Sequence, residues 1–385
     1  MESAKSWLST LKSELISGKM ADLLPKSLVG KLLLCGAVLA GGNGLWYTLV
    51  YFRRAVQRPR LSYQHNANFL FYTTHIATVA GTYFRSMPTI HYRRDTLSMD
   101  DGGQLCLDWV LDDGDDTDVT PNKPTVIIFH GLNGGSSSVY VRHVINAIKD
   151  QLGRDKIRVV VMNNRGAGGS ELLTPKGYCG AYTEDARVAI RHDEAPLIAL
   201  GYSLGANIML KYVGEEGENV PLNGAISVSN PLDFKASSFH LETMPLYNAV
   251  LTKGCIGTFS RHAHIFAQHE ELEIEAIYQI FGYETVDEYY DAASSVNYIQ
   301  NVAVPTLILH AMDDPIVPAA ALDRPREEAE KNPNTILATV PYGGHVGFPE
   351  GWLPIGDKLS WADRVVAEFI HALVAPKQVG SSSDA

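Results

Sequence analysis

The sequence has few cysteines and fewer basic than acidic residues, and each shortage excludes a class of protein. Its four cysteines (Cys35, Cys106, Cys179 and Cys255) are widely scattered and lack the paired spacing of a disulfide framework or a zinc site. This pattern favours a reducing compartment, and the absence of an N-x-S/T glycosylation site fits that interpretation. With 32 basic against 43 acidic residues the net charge is −11, which argues against a nucleic-acid partner because phosphate binding needs clustered Lys and Arg.

The N-terminal part contains one long uncharged stretch. Residues 32–52 (LLLCGAVLAGGNGLWYTLVYF) carry no charge and are long enough to cross a bilayer core of ~30 Å. Aromatic residues cluster near the end of this stretch and two arginines close it, as at a membrane interface. We predict a polar segment over 1–27 and a single-pass membrane anchor over 28–54, with a buried core helix or hairpin as the alternative. Orientation and compartment stay open, with the endoplasmic reticulum and the lipid-droplet surface as candidate compartments.

The segment after the predicted anchor and the C-terminal tail contain weaker patterns. Residues 55–100 mix aromatic and basic side chains and are predicted to form a membrane-proximal connector, which lies either along a membrane surface or over one face of the following domain. Residues 376–385 are of low complexity and are predicted to be disordered.

Residues 101–375 alternate short apolar runs with helical stretches, which predicts one α/β domain. A partly alternating run, GGQLCLDWVLDD, predicts an early antiparallel strand. Six nearly continuous runs follow and predict a mostly parallel sheet with helices on both faces: TVIIFHG, IRVVVMNNRG, APLIALGYS, LNGAISVSNP, VPTLILHAMDDP and NTILATVPYGGH. Between the fourth and fifth runs, residues 234–301 are rich in aromatics and helix formers and are predicted to form a helical cap insertion.

Candidate catalytic residues follow three of these runs. Ser203 lies in GYSLG, where a strand meets a helix, as the nucleophile of a strand-to-helix elbow does. Asp313 and Asp314 follow the fifth run and His345 follows the sixth. The carboxyl ends of parallel strands form the ligand site of such sheets, and the order Ser, Asp, His is that of α/β-hydrolases. We favour Asp314 as the acid because DPIVP places it at the turn leaving the strand; Asp313 is the alternative.

A serine nucleophile also needs donors for the oxyanion of its tetrahedral intermediate. The residue after the nucleophile supplies one backbone N–H in an elbow, which here is Leu204. The second N–H is expected from the loop that follows the strand of the FHGLNGG stretch. Gly131 and Leu132 are the candidates in this loop, and we choose Leu132. His130 is expected to hydrogen-bond within that loop and to transfer no proton.

Two other motifs are assigned structural roles. NNRGAGGS lacks the spacing of a phosphate-binding loop, so residues 165–169 are predicted to form a turn beside the site. His262, His264 and His269 have no matching ligand set nearby and are assigned to the surface or packing of the cap. We predict neither a metal ion nor an organic cofactor.

Five motifs together resemble the membrane-associated α/β-hydrolase-domain family: HGLNGGSSSVYV, NNRGAGGSELLTPKGYCGAYTEDAR, GYSLGANIMLKYVGEEG, PTLILHAMDDPIVP and GGHVGF. This group, the AB hydrolase 4 family, includes embryogenesis-associated plant proteins, yeast medium-chain ethyl ester synthase/esterases and animal phospholipase-like members. The resemblance covers residues 101–375. It implies an α/β-hydrolase fold, Ser203 as nucleophile, an acid at MDDP and His345 as base, acting on carboxylic esters with lipid-like acyl chains.

The sequence thus predicts a membrane-anchored serine hydrolase that cleaves lipid or medium-chain acyl esters, phospholipids included, through an acyl-enzyme. Acyl transfer to an alcohol stays open, because several relatives carry an H-x-x-x-x-D stretch linked with it and HVGFPE ends in Glu350 instead. The alternative is a catalytically silent lipid-binding protein of the same fold. Dehalogenase and epoxide hydrolase chemistry needs a carboxylate nucleophile where this chain has Ser203. Acyl length, headgroup and oligomeric state are not predicted.

Overall fold

The computed structural model describes residues 75, 77–78, 85–112, 123–192, 197–268, 277–350 and 360–375. The predicted N-terminal segment, membrane anchor and C-terminal tail lie outside these residues, as does most of the connector. Within the described ranges, no helix is long and apolar enough to cross a membrane.

Eight strands form a single sheet, and seven of them correspond to the runs identified in the sequence. In spatial order the sheet is β1-β2-β4-β3-β5-β6-β7-β8. The pairs β1/β2 and β2/β4 are antiparallel, and all other neighbours are parallel, which confirms the predicted mostly parallel sheet. The strands are β1 Tyr92–Ser98, β2 Gln104–Val110, β3 Thr125–Phe129, β4 Arg158–Asn163, β5 Leu197–Tyr202, β6 Gly224–Val228, β7 Thr306–Ala311 and β8 Thr335–Val340.

Strand β1 falls in the segment that the sequence assigned to the connector, so the sheet begins before residue 101. Its sequence, YRRDTLS, alternates between exposed and half-buried side chains without an apolar face, and the hydrophobic pattern therefore gives no strand signal. The strand is held by backbone pairing with β2 and by an ion pair in which Arg94 donates to both carboxylate oxygens of Asp108 at 2.6 and 2.7 Å.

Nine helices of the described residues surround the sheet, and several begin at a side-chain cap. The Asp233 carboxylate accepts from the amide of Ala236, and Ser360 and Asp363 form a reciprocal capping box. Four of the helices, α4–α7, lie between β6 and β7 in the predicted cap insertion. The helices are α1 Val139–Leu152, α2 Glu184–Arg191, α3 Leu204–Glu216, α4 Phe234–Glu242, α5 Pro245–Arg261, α6 Ala263–Ala267, α7 Val286–Ala293, α8 Asp323–Lys331 and α9 Trp361–Val374.

The sheet has an apolar core on each face, as its alternating side chains require. On β3, Val126 and Ile128 pack with α1 and α9, whereas Ile127 and Phe129 pack with α3 on the other side. Because every residue of β3, β5, β6 and β7 is buried, these strands read as continuous apolar runs rather than alternating ones. The residues available for chemistry are therefore those at the strand ends.

A buried ion pair supports the turn after β4, at the residues predicted to form a structural turn. The Arg165 side chain is 1% exposed and donates to both carboxylate oxygens of Asp185 at 2.7 and 2.8 Å. It also donates to both oxygens of Asp101 at 2.7 and 2.9 Å. Arg165 thereby links the turn to α2 through Asp185 and to the β1–β2 hairpin through Asp101.

We expect Arg165→Met to lower the free energy of unfolding by about 3–5 kcal/mol, because it leaves two carboxylates without their buried partner. The matched control is Arg154→Met, whose ion pair with Asp150 is more than half exposed on both sides and should change stability by about 0.5 kcal/mol or less. Urea unfolding followed by circular dichroism measures both. Equal losses in the two variants would contradict a structural role for the Arg165 pair.

Candidate active site

Ser203 occupies a strained turn between β5 and α3. Its φ is +51° and its ψ is −121°, a conformation that costs a non-glycine residue free energy and is concentrated at functional sites. The flanking glycines are required by close packing: a Cβ at Gly201 would lie 2.4 Å from Cα of Ala206, and one at Gly205 would lie 2.3 Å from the carbonyl oxygen of His130. The GYSLG pattern is thus a geometric requirement of this elbow.

Ser203, His345 and Asp314 form a continuous hydrogen-bonded chain. Nε2 of His345 lies 2.8 Å from Oγ of Ser203, and Nδ1 of His345 lies 2.8 Å from Oδ2 of Asp314. The three residues come from the ends of β5, β8 and β7, so the structure brings them together where the sequence placed them. The arrangement is that of a nucleophile, a base and an orienting carboxylate.

Asp314 is a buried carboxylate whose negative charge is stabilised by hydrogen-bond donors. Its Oδ1 accepts from the amides of Ile316 and Val317 at 2.8 and 3.0 Å. Burial by itself would raise the pKa of Asp314, but the charge and hydrogen bond of His345 outweigh it and hold that pKa below its usual value. An ionised carboxylate only accepts hydrogen bonds. Nδ1 of His345 therefore donates to Asp314, and Nε2 faces the Ser203 hydroxyl.

Asp313, the alternative acid, contacts a different part of the site. Its Oδ1 accepts from the amides of Gly343 and Gly344 at 2.8 and 2.9 Å, and its Oδ2 has no partner among the described residues. Burial raises the pKa of Asp313 to about 6. Asp313 thus fixes the backbone that leads into His345, while Asp314 contacts the imidazole itself.

Two hydroxyls also hold the loop that carries His345, and no sequence pattern predicts either of them. The amide of His345 donates to Oγ1 of Thr78 at 2.9 Å, and the amide of Val346 donates to Oγ of Ser229 at 3.1 Å. Val346 has a φ of +64°, which is strained for a β-branched residue. Because these partners are 267 and 117 residues away in the chain, no local motif marks them.

The loop after β3 presents an amide beside the elbow. The amide of Gly131 donates to the hydroxyl of Tyr140 at 2.8 Å, and that of Asn133 donates to the hydroxyl of Tyr178 at 3.1 Å. Between them, the amide of Leu132 donates to none of the described residues. Leu204 is the first residue of α3, so its N–H has no acceptor within the helix. These two amides remain the candidates for an oxyanion hole, and Gly131 is engaged elsewhere.

His130 has a structural role in this loop. Its Nε2 lies 3.2 Å from the amide nitrogen of Asn164, which only donates, so Nδ1 carries the proton and donates to the carbonyl of Gly131 at 2.8 Å. Burial lowers the pKa of His130 to about 4, and the ring is therefore neutral near pH 7. The hydrogen bond expected within the loop is present.

The remaining residues singled out in the sequence lie outside the triad. His262 Nε2 donates to the carbonyl of Gly166 at 3.1 Å, His264 is exposed, and His269 lies outside the described residues. Glu350 accepts from Arg364 of α9 at 2.7 and 2.8 Å. In the part of the chain that the structure describes, no group of three or more potential ligands forms a metal site.

Comparison with known proteins gives consistent results. Residues 120–346 match the hydrolase family described as serine aminopeptidase, S33. The phospholipase ABHD3 of Homo sapiens is 32% identical over 378 residues, which cover 88% of this chain and 90% of that protein. The monoacylglycerol lipase of Saccharomyces cerevisiae is 33% identical over 252 residues, covering 59% and 55%.

A solved structure supports the fold assignment. The crystal structure of 2,6-dihydroxy-pseudo-oxynicotine hydrolase matches with a TM-score of 0.50 and 18% identity, covering 74% of this chain and 68% of that one. At this identity the likeness concerns the fold alone. Together with the observed strand order, it confirms the predicted α/β-hydrolase fold.

The raised pKa of Asp313 gives a pH dependence that Asp313→Asn removes. The folded-state pKa of about 6 lies above the ordinary value of 3.8, so protonation of Asp313 favours the folded state. Its contribution to the free energy of unfolding is complete below pH 3.8 and is lost as the pH rises through about 6. We therefore expect Tm of wild type minus Tm of Asp313→Asn to fall across this window in differential scanning calorimetry.

The asparagine side chain of Asp313→Asn keeps an oxygen that can accept hydrogen bonds from the two glycine amides. Any other effect of the substitution on Tm should therefore be the same at every pH. A difference that stays constant or increases with pH would contradict the burial of Asp313 as an acid.

Proposed function

Because the chain belongs to the hydrolase family described as serine aminopeptidase, S33, we propose that it is a serine hydrolase of lipid acyl esters that works through an acyl-enzyme on Ser203. The observation that carries this proposal is the hydrogen-bonded chain from Ser203 through His345 to Asp314, at 2.8 Å for both links. The serine at the end of this hydrogen-bonded chain lies on the strained turn between β5 and α3.

In the first half of the reaction, Oγ of Ser203 attacks the ester carbonyl carbon while Nε2 of His345 takes its proton. The carbonyl oxygen gains negative charge, and the amides of Leu132 and Leu204 stabilise it. Asp314 keeps the imidazole oriented and stabilises the imidazolium that forms. The C–O bond to the leaving alcohol then breaks, and the alcohol takes the proton from Nε2.

In the second half, the Ser203 acyl ester is cleaved by an incoming hydroxyl. Nε2 of His345 removes a proton from water as the water oxygen attacks the acyl carbon. The bond from that carbon to Oγ then breaks, Oγ takes the proton from Nε2, and the carboxylic acid and free Ser203 are released. An alcohol in place of water yields a new ester by the same steps. Hydrolysis is the proposed main reaction, because no feature of the described residues selects an alcohol over water.

The proposed substrates are esters of membrane lipids. Two relatives are a phospholipase and a monoacylglycerol lipase by name, and both names refer to lipid substrates. The uncharged stretch over residues 32–52 would keep the domain at a membrane, where such substrates reside. We accordingly propose a single-pass anchor within 28–54 and a location on the membrane surface.

We expect Ser203→Ala to lower kcat by at least about 10⁴-fold, because it removes the nucleophile of both half-reactions. The assay is hydrolysis of p-nitrophenyl esters of increasing acyl length by purified full-length protein in detergent. Wild type should show a maximum at one chain length and label with a serine-reactive phosphonate.

Full activity in Ser203→Ala would refute the acyl-enzyme mechanism. A folded wild type that binds lipid saturably, yet neither turns over an ester nor labels, would indicate the lipid-binding alternative.

The two adjacent aspartates offer a matched pair of variants. We expect Asp314→Asn to lower kcat by about 10⁴-fold, because an amide cannot hold His345 in the required tautomer or stabilise its charge. Asp313→Asn should stay within about tenfold of wild type, since Asp313 contacts backbone amides rather than the imidazole. The same ester assay decides between them, and the reverse order of effects would assign the acid to Asp313.

A further inference from the structure

One side of the cap helix α5 faces the rest of the domain. Five residues of this helix are half-buried and all its others are exposed; the five are Tyr247, Leu251, Gly254, Gly257 and Thr258. From Tyr247 to Gly254, and on to Gly257 or Thr258, the intervals are three or four residues, which places the five on one side of an α-helix. We call these five residues the inner side of α5.

Toward the C-terminal end of α5, the inner side contacts the side chain of Asn133. Oγ1 of Thr258 donates to Oδ1 of Asn133 at 2.9 Å and accepts from the guanidinium of Arg261 at 2.9 Å. A Cβ at Gly254 would lie 2.4 Å from Nδ2 of Asn133, so the helix can approach this closely only with a glycine at that position. The Asn133 side chain is therefore held against α5 at two positions along the helix.

Asn133 directly follows Leu132, whose amide is a candidate donor for the oxyanion. The backbone of Asn133 has a φ of +57°, a left-handed conformation that asparagine tolerates better than most residues, and its amide donates to a tyrosine hydroxyl. On the other side of Leu132, the amide of Gly131 donates to a second tyrosine hydroxyl, and a Cβ at Gly131 would lie 3.2 Å from Cβ of Ser203. The Leu132 amide therefore lies between two held residues, beside the nucleophile.

Contacts near both ends keep α5 in place. Close to its N-terminus, the hydroxyl of Tyr247 lies 2.9 Å from Nδ1 of His75, and the two rings stack with their centroids 5.5 Å apart. Directly after its C-terminus, His262 donates to the carbonyl of Gly166 at 3.1 Å, in the turn after β4. Thr258 thus lies on a helix that is attached to other parts of the chain on both sides of it, and it gives Asn133 a fixed partner.

We propose that Asn133 is a positioning residue, and that its hydrogen bond with Thr258 keeps the Leu132 amide directed at the oxyanion. The inference rests on the proposed function, because an oxyanion forms only when Ser203 attacks a carbonyl carbon. The negative charge develops in the transition state and is absent from the bound ester, so a misaligned donor lowers kcat and leaves KM nearly unchanged. Through this contact, the cap insertion contributes to stabilisation of the transition state.

Three variants of α5 test this hydrogen bond in the p-nitrophenyl ester assay with full-length protein. Thr258→Val removes the hydroxyl at nearly constant volume and should lower kcat about tenfold with KM within about twofold of wild type, less than the ~10²–10³-fold cost of losing an oxyanion donor outright. Thr258→Ser keeps the hydroxyl and should retain kcat within about twofold. The matched control is Thr252→Val: Thr252 is exposed, and its hydroxyl donates to Asn248 of the same helix at 3.4 Å, so kcat should not change.

An alkyl trifluoromethyl ketone gives a readout that a purely structural role would not change. Oγ of Ser203 bonds to its carbonyl carbon, the hydroxyl proton passes to His345, and the carbonyl oxygen becomes an oxyanion like that of the tetrahedral intermediate. We expect Ki to increase about tenfold in Thr258→Val, in parallel with the fall in kcat, and to stay unchanged in Thr258→Ser and Thr252→Val. The methyl ketone of the same chain length, which stays a ground-state ligand, should bind all four proteins equally.

A double variant tests whether Asn133 and Thr258 act through one contact. Asn133→Gly keeps the left-handed backbone accessible and removes the side chain, and it should lower kcat about as much as Thr258→Val does. Combining the two substitutions should lower kcat no further than about tenfold, because both remove the same hydrogen bond. Multiplied losses of about hundredfold would show independent effects and would overturn the proposal.

The remaining outcomes separate this inference from the proposed function. With an active wild type, an unchanged kcat in Thr258→Val, an equal loss in Thr258→Ser, or a lower kcat at constant Ki would each overturn the positioning role and leave the serine mechanism intact. A raised KM at unchanged kcat would assign Asn133 to substrate binding and would also overturn it. A wild type that neither hydrolyses an ester nor binds the trifluoromethyl ketone would refute the proposed function, and this inference with it.

Discussion

The site depends on keeping one charged carboxylate buried. An ionised group without water needs hydrogen-bond donors from all sides, and Asp314 receives them from two amides of its own turn and from His345. This requirement fixes the turn after β7 relative to the loop after β8. Since the imidazole is bound on one side by Asp314 and on the other by Ser203, the strained elbow after β5 is aligned by the same constraint.

Support for this arrangement comes from every side of the loop that carries His345. Asp313 holds the glycine amides before it, and Thr78 and Ser229 hold the backbone of His345 and Val346. Such hydrogen bonds fix the backbone from which the His345 side chain extends. The opposing loop is fixed in a similar way by the hydroxyls of two tyrosines. The candidate site is therefore pre-organised on both sides of Ser203.

The sequence predicted the parts of this molecule whose causes are local. Buried parallel strands leave continuous apolar runs, and the elbow leaves GYSLG, so seven strands, Ser203 and His345 were identified. The DPIVP stretch predicted a turn at Asp314, and the carboxylate of Asp314 accepts hydrogen bonds from two amides of that turn. Strand β1 gave no signal because its charged side chains are satisfied by β2 and by loops distant in sequence. Thr78 and the function of Asp313 depend on contacts that only the folded chain creates.

Because the amide of His345 donates to Thr78, the residues that support the candidate site extend beyond the family match. The family match covers residues 120–346, but Thr78 and strands β1 and β2 precede it. A fragment bounded by that match would contain Ser203, Asp314 and His345 and still lose the hydroxyl that holds the backbone of His345. The segment that carries Thr78 thus belongs to the candidate site, because its hydroxyl holds the backbone of His345 in place.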